Sequence, residues 1–570
     1  MTEAAVTDTA SRRVRRPSIF NDRRRLAMLL LGVASGLPFT VVGGTLAAWF
    51  TAGGISTATI GVLSWSALSY SFNFLWSPAL HRTAAPFLSR FGRRKSWFIP
   101  LQILIALALF GFSALDPKSN LLAIAALAVL ASFLSATFDI VLAAWRIETA
   151  QNQDDIDALS TLNQVGYRAA AFVGGAGALI LSDLVGWSFT LMILAAIMAL
   201  TVGGALLAPE PPRPETREKD AAGVMREPEK LAAGFSPEWR NIVVALVIIG
   251  WIWAFWTLGS FMIGALSHPE TAKAGAFTLS RGPWIVAVTV LGPALGAIWL
   301  LRTRAKPVKL GLPSAPPKVQ AVADALFGAV VEPMVELIGR LRWVALLAVS
   351  VILTYRFADN IWGSFAYPFY MGANGGALGH TATEVALASK MIGVAATITG
   401  LALGGVLLKW MGRMPALVFG AAAAAATNLL FADLAIGAVG MDAFLSFTHL
   451  SSLFGAFGLD IRMARLCTAI MGENLAVGIA SVVYVAYLTS IVNPKYAAVQ
   501  YALLGSLTML VGQLGRPALG AMIDAQGFYP VFLLTAALGM IPVVLSAAEW
   551  HRRSRLPKAD VETVVPAAAE

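Results

Sequence analysis

A helix needs about 20 apolar residues to cross the hydrocarbon core of a bilayer, and this chain supplies such runs again and again. Counting them gives about fourteen candidates. Six precede the first polar linker, at about 26-50, 57-80, 97-115, 120-145, 160-181 and 186-208. Two follow at about 243-266 and 283-301, then six at about 343-370, 382-408, 414-435, 465-492, 496-522 and 527-547. Backbone N–H and C=O groups have no water to bond in lipid, so a chain of this pattern folds as a bundle of membrane helices. Composition agrees: 57% of the 570 residues are hydrophobic and 13% charged, against about 25% charged in soluble domains.

The net charge of +10 does not indicate nucleic acid, because the basic residues form short clusters between apolar runs instead of one basic face. The clusters set orientation. Arg12, Arg13, Arg15, Arg16, Arg23, Arg24 and Arg25 precede the first run, and every second connection is basic: His81 to Lys95, Arg302 to Lys306, Lys409 to Arg413, Lys495 and His551 to Arg555. Both termini are therefore expected in the cytoplasm. The run from Leu26 to Phe50 is too long for a signal-peptide core and is expected to be retained as the first span. One cysteine, Cys467, excludes an intramolecular disulfide, and with five histidines no metal cluster or cofactor site is expected.

These signals divide the chain into a cytoplasmic tail at 1-24, a six-helix bundle at 25-208, a linker at 209-241 and an extra transmembrane hairpin at 242-302. A second linker at 303-342 leads to another six-helix bundle at 343-548, and 549-570 form the closing tail. Residues 436-463 read as an external insertion, since Ala443 to Leu459 is short and holds His449 and Gly455. In the second linker Val322, Leu326, Val330, Val331 and Leu337 recur at helical spacing among Asp324, Glu332, Glu336 and Arg340, which predicts an amphipathic helix on the inner membrane surface. The hairpin, with no charge in its apolar stretches, is expected to pack peripherally, with Trp251, Trp253, Trp256 and Trp284 facing lipid or the bundle edge.

A charge at the centre of a membrane helix costs about 2.5 to 3.5 kcal/mol on insertion scales, so each one needs a reason. Seven stand out: Asp139, Arg168, Arg356, Asp359, Lys390, Glu473 and Arg516. Lys390 and Glu473 are each about 12 Å below the outer face of their helices and are placed to meet. Asp139 and Arg168 share a depth from the inner face, and Arg356 and Asp359 share one face of one helix. As structural ion pairs they would only neutralise one another. As a pathway, the cations would hold an anionic solute and a carboxylate would carry a proton, Asp139 first and Glu473 second.

Tyr70, Tyr167, Trp362 and Tyr367 offer rings for stacking on sugars, although tryptophan and tyrosine also collect at membrane interfaces without any such role. Neither a hydrolase elbow, a phosphate loop nor a metalloprotease helix is present, and Gly-rich stretches lie only inside apolar runs. The chain reads as a carrier and not an enzyme. The class alternative is a membrane-embedded cell-wall enzyme or signalling component, which would place a carboxylate or histidine cluster at one membrane face.

Gly92-Arg93-Arg94-Lys95, after His81-Arg82, resembles the cytoplasmic gate-loop motif of the major facilitator superfamily, and Gly405 to Arg413 partly echoes it in the second half. More narrowly, the chain is similar to the AmpG-type muropeptide permeases. The runs Gly32 to Pro38, Gly43 to Leu46, Phe74 to Pro78, Ser135 to Val141, Gly166 to Arg168, Gly393 to Ile398, Glu473 to Leu475 and Gln500 to Leu504 carry the likeness. It implies a major facilitator fold of two six-helix bundles. It also implies import of anhydromuropeptides from periplasm to cytoplasm, in symport with protons, by a monomer in a bacterial inner membrane. The family's usual Asp, Lys and Asp are replaced by His81, Asn73 and Ala143, which alters the gate and the charge of the cavity. Another bulky anionic solute, acetyl-CoA-like or peptide, is the alternative cargo.

Overall fold

The computed structural model describes residues 22–77, 80, 84–85, 88, 90, 92–211, 235–303, 316–493 and 497–555, so His81, Arg82 and Lys495 lie outside the described residues. The described chain is helical, with no strand. The first half contains α1 (Arg23–Ala52), α3 (Lys95–Ser113), α4 (Leu121–Thr149), α5 (Asp155–Val185) and α6 (Trp187–Leu207). Between α1 and α3 lies α2, a broken run from Thr57–Leu63 to Asn73–Leu75. The hairpin is α7 (Pro237–Ser267) and α8 (Ala274–Thr303), and α9 runs through Pro317–Leu326, Phe327–Val331 and Glu332–Leu341.

In the second half α10 joins Val344–Tyr355 to Phe357–Met371 through a 41° bend, followed by α11 (Ala382–Met411) and α12 (Arg413–Ala435). Two short helices, α13 (Val439–Phe447) and α14 (Leu450–Ala456), are each too short to cross a bilayer. Then come α15 (Ile461–Ile491), α16 (Ala497–Leu514 continued by Arg516–Gln526) and α17 (Phe528–Ser554). Among the described residues 11 helices are long and apolar enough to span, or 12 with the bent pair. The two further runs counted in the sequence are α2 and α16, whose serines, glutamines and Gly515-Arg516-Pro517 break the helix and dilute its hydropathy.

Small residues bring the helices together, as membrane packing requires. On α1, a Cβ at Gly32 would lie 2.6 Å from the Asn163 carbonyl oxygen and one at Gly36 would lie 2.7 Å from that of Tyr167, so α1 and α5 touch backbone to backbone. Gly400 and Gly478 do the same for α11 and α15. The two halves meet through α2 against α16, α5 against α11 and the end of α1 against the end of α10.

The face of α9 formed by Phe327, Val330, Val331, Met334 and Val335 is buried against α7 and α8, while Val319 and Val322 are exposed. The apolar face of the helix thus packs on the protein; Arg240 pairs with Asp324 and Asn241 bonds Gln320 at 2.8 Å to hold its start. Trp251 is 3% exposed, donating to the Thr289 carbonyl at 3.3 Å and lying edge-on to Phe72 of α2, which puts it at the edge of the bundle. Trp253 is partly buried, whereas Trp256 and Trp284 are exposed as expected of lipid-facing rings. The hairpin rests on both halves, with Phe255 on Phe72 of α2 and α8 against α16.

Candidate functional site

Of the seven membrane charges, Lys390 and Arg516 lie at the contact between the two halves, and most of the seven do not meet in the pairs the depths suggested. Asp139 on α4 accepts a 2.6 Å hydrogen bond from the Ser35 hydroxyl on α1, and no cation lies within ion-pair distance. Arg168 on α5 is exposed and unpaired with Asp139. Consecutive helices at equal depth do not guarantee a shared face, and the α5 face that meets α1 carries Gly166 and Tyr167. Further along α5, Gly175 faces α11.

Lys390 belongs to that junction. It sits in a π-helical turn of α11, Leu387–Ile392, opposite another in α5, Val173–Gly177, and α1 has a third at Val41–Thr45. The Thr45 hydroxyl bonds the Gly174 carbonyl at 2.5 Å. A Cβ at Gly175 would lie 3.1 Å from Lys390 Cε, and Lys390 Nζ stands 5.9 Å from the centre of the Tyr367 ring. The amine therefore reaches across to the first half and a neighbouring ring instead of meeting Glu473, which stays part-buried on α15 without an ion pair. π-Helical turns in membrane and soluble helices alike are frequent at functional positions.

Arg356 and Asp359 are the one expected pair that forms, at 2.9 Å across the α10 bend, with Arg356 Nη1 also donating to Ser481 at 2.8 Å. Arg516, at the break of α16, donates to the Asn360 carbonyl at 2.8 Å and lines a small cavity of about 30 Å³ with Gly43, Ala47, Ser64, Ser66 and Ser364. That cavity draws on both halves. Among the described residues three cations, Arg168, Lys390 and Arg516, have no carboxylate within 4.0 Å, and Asp139 and Glu473 have no cation. No described group of three or more His, Cys, Asp or Glu residues is placed to hold a metal.

The aromatic candidates separate. Tyr70 and Tyr167 flank Phe39, at 5.0 and 6.2 Å between ring centres, close to the Ser35 level of α1. Tyr367 is buried beneath Lys390 and against Gly44. Trp362 is a correction: its ring is closed in by Phe431 at 5.0 Å and Phe532 at 5.5 Å and is core packing, with no face left for a sugar.

In the gate loop, Arg93 and Arg94 pair with Glu148 on α4 at 2.8 and 2.5 Å, and the Arg94 amide donates to Glu210 at 2.8 Å. Arg94 is fully buried and also donates to the Leu80 carbonyl. Gly92 has φ +104°, and a Cβ there would strike the Glu210 carboxyl at 2.6 Å, so only glycine fits. The described contacts of this loop thus tie α3 to α4 and to the end of α6. Ser35, Ser481, Glu148 and Glu210 were not singled out in the sequence: a serine in an apolar run carries no signal of what it faces, and the two glutamates look like ordinary helix-end charges.

Comparisons with known proteins find transporters along most of the chain. The model of the family described as acetyl-coenzyme A transporter 1 matches residues 26–184. The chain is 26% identical over 533 residues to the anhydromuropeptide permease of Escherichia coli K12, covering 92% of this chain and 80% of that protein. It is likewise 26% identical over 524 residues to putative transporter AmpG 4 of Rickettsia conorii, covering 92% and 95%. Among solved structures, an auto-inhibited POT-family peptide transporter superposes with a TM-score of 0.54 at 13% identity, over 94% of this chain and 97% of that one. A POT-family transporter solved in meso gives 0.53 at 12% identity, over 94% and 99%. This chain is a multi-pass membrane transporter of major facilitator fold, and the relatives it is similar to over most of its length are the AmpG permeases.

Proposed function

We propose that this transporter imports anhydromuropeptides, the sugar-peptide fragments released in cell-wall turnover, from periplasm to cytoplasm by proton symport. It works as a monomer in a bacterial inner membrane, with both termini in the cytoplasm. The observation that carries the reading is the separation of charge: three membrane cations stand without carboxylates, and two carboxylates stand without cations. Buried charges that served only structure would neutralise one another, because an unpaired one is costly in the membrane. Free cations are what an anionic cargo needs, and an isolated carboxylate is what a proton needs. Asp139 is the first carrier and Glu473 the second; Arg168, Lys390 and Arg516 receive the cargo as the bundles 25-208 and 343-548 rock about it, while the hairpin 242-302 stays outside the path. The names of the similar permeases support the cargo.

The test is uptake of labelled anhydromuropeptide into proteoliposomes with and without an imposed proton gradient. Accumulation above the external concentration only with the gradient is the expected result; no uptake of this cargo under either condition would end the reading. A second cargo class, a bulky acetyl-CoA-like anion, is favoured by the family model matched at 26–184 and would then be assayed in the same vesicles.

A further inference from the structure

The end of the bundle away from residues 22 and 555 is held by two contacts that join one half to the other. Asp183, in the last turn of α5, accepts from the backbone N–H and the hydroxyl of Thr383 at the start of α11, both at 2.7 Å. Asp524, in the last turn of α16, accepts from the N–H groups of Thr57 and Ala58 at the start of α2, both at 2.9 Å, and from the Thr57 hydroxyl at 2.7 Å. A carboxylate on backbone donors at a helix start satisfies groups with no partner inside the helix and lies at the positive end of its dipole.

The two contacts are copies of each other. In an assembly of two six-helix halves, α2 corresponds to α11 and α5 to α16, so each half gives one carboxylate and receives one. The local sequences repeat as well. Asp183-Leu184-Val185-Gly186-Trp187 matches Asp524-Ala525-Gln526-Gly527-Phe528, and each carboxylate accepts within the first two residues after the N-cap of the facing helix, Thr381 and Ser56. Gly186 and Gly527 both take a left-handed backbone, φ +79° and +81°, ending their helices at the same distance past the carboxylate. Neither aspartate pairs with a cation among the described residues, so their described bonds serve the junction between the halves.

We infer that Asp183 and Asp524 are a matched pair of latches that hold the outer gate closed, and that both must let go of the facing helix for the transporter to open outward. The inference rests on alternating access of the two halves but not on which cargo is carried. Both carboxylates are exposed, so the latches are weak enough to release within a transport cycle. Removing a helix-capping side chain shifts an equilibrium by about fivefold, and two distant latches multiply.

The experiment is a double electron–electron resonance measurement on the full chain in nanodiscs, without cargo. Spin labels sit at Lys118→Cys, in the outer loop of the first half, and Ser452→Cys, on the external helix of the second, in a Cys467→Ser background. Asp183→Ala and Asp524→Ala should each raise the long-distance population about fivefold, and the double variant by about the product. Asp183→Asn and Asp524→Asn, which keep an acceptor but not its charge, should fall between. Asp116→Ala removes a carboxylate at the same end that bonds Ser119 in its own loop, and should change nothing. Unchanged distances in the double variant, a shift from only one aspartate, or an equal shift in Asp116→Ala would overturn the pair. Because no cargo is present, a failed uptake assay leaves this result intact, and the reverse also holds.

Discussion

The carboxylates of the two halves stand in different company. In the first half Asp139 has a single hydroxyl, Ser35 Oγ at 2.6 Å, and the nearest candidate cation on α5 points elsewhere. In the second half Asp359 is matched by Arg356 at 2.9 Å, and Arg356 is itself fixed by Ser481. Asp139 is held by a hydroxyl from a neighbouring helix, whereas Asp359 pairs with a guanidinium across the α10 bend and fastens it. Glu473 resembles Asp139 in having no cation, yet belongs to the half that already contains a fixed pair. In the proposed mechanism Asp139 moves charge first and Glu473 second, while the Arg356–Asp359 pair fixes geometry.

The contrast breaks most visibly in Asp139→Asn. Gradient-driven accumulation should vanish while cargo exchange between the two sides continues, and Glu473→Gln should impair accumulation less. If the two results were swapped, the carrier would lie in the second half. Next in size is Arg356→Gln, which strands Asp359 and should destabilise the protein by about 1 to 3 kcal/mol, less than a fully buried pair because both groups are part-exposed. Thermal unfolding in detergent checks this, and Arg356→Gln with Asp359→Asn should recover most of the loss; no recovery would mean Arg356 matters through Ser481 alone.

Lys390→Gln tests the cations. Loss of one charge-assisted contact to an anionic cargo should weaken binding by about tenfold in equilibrium titration, and unchanged affinity would make Lys390 a packing element between Gly175 and Tyr367. The smallest effect concerns Glu336, on α9 outside the spans. Burial pushes its carboxyl pKa up, but hydrogen bonds from Arg340, Asn493 and Gln500 outweigh this and hold it below the usual glutamate value. Its stabilising contribution is therefore complete above the ordinary glutamate pKa of about 4.3 and is lost as pH falls through the lower folded value. A melting series across that acid range should slope less in Glu336→Gln than in the parent; equal slopes would remove Glu336 from the account.

Much of the architecture is written in apolar run length alone, because in lipid a span has one backbone solution. The breaks were harder to see. Nothing in 41–45, 173–177 or 387–392 announces a π-turn, since hydropathy records burial and not the hydrogen-bond register that Gly43, Gly174 and Lys390 sit in. Depth matched Lys390 with Glu473 and Asp139 with Arg168 but could not supply their azimuth, so Arg356 and Asp359, three apart on one chain segment, met as expected while the other two pairs did not. For Trp251 and α9 the sequence left the neighbour open, because an apolar face shows that something must cover it, not whether lipid or another helix does. Asp183 and Asp524 read as ordinary loop-edge acids until the fold placed helix starts 200 and 467 residues away against them.

The central claim, that Asp139 carries the coupled proton, is met most directly by proton flux. Parent and Asp139→Asn protein are reconstituted with a pH dye inside the vesicles, and cargo is added outside without any imposed gradient. The account predicts that cargo entry acidifies the lumen for the parent, and that Asp139→Asn gives no acidification although labelled cargo still exchanges. Acidification of equal size in Asp139→Asn would contradict it.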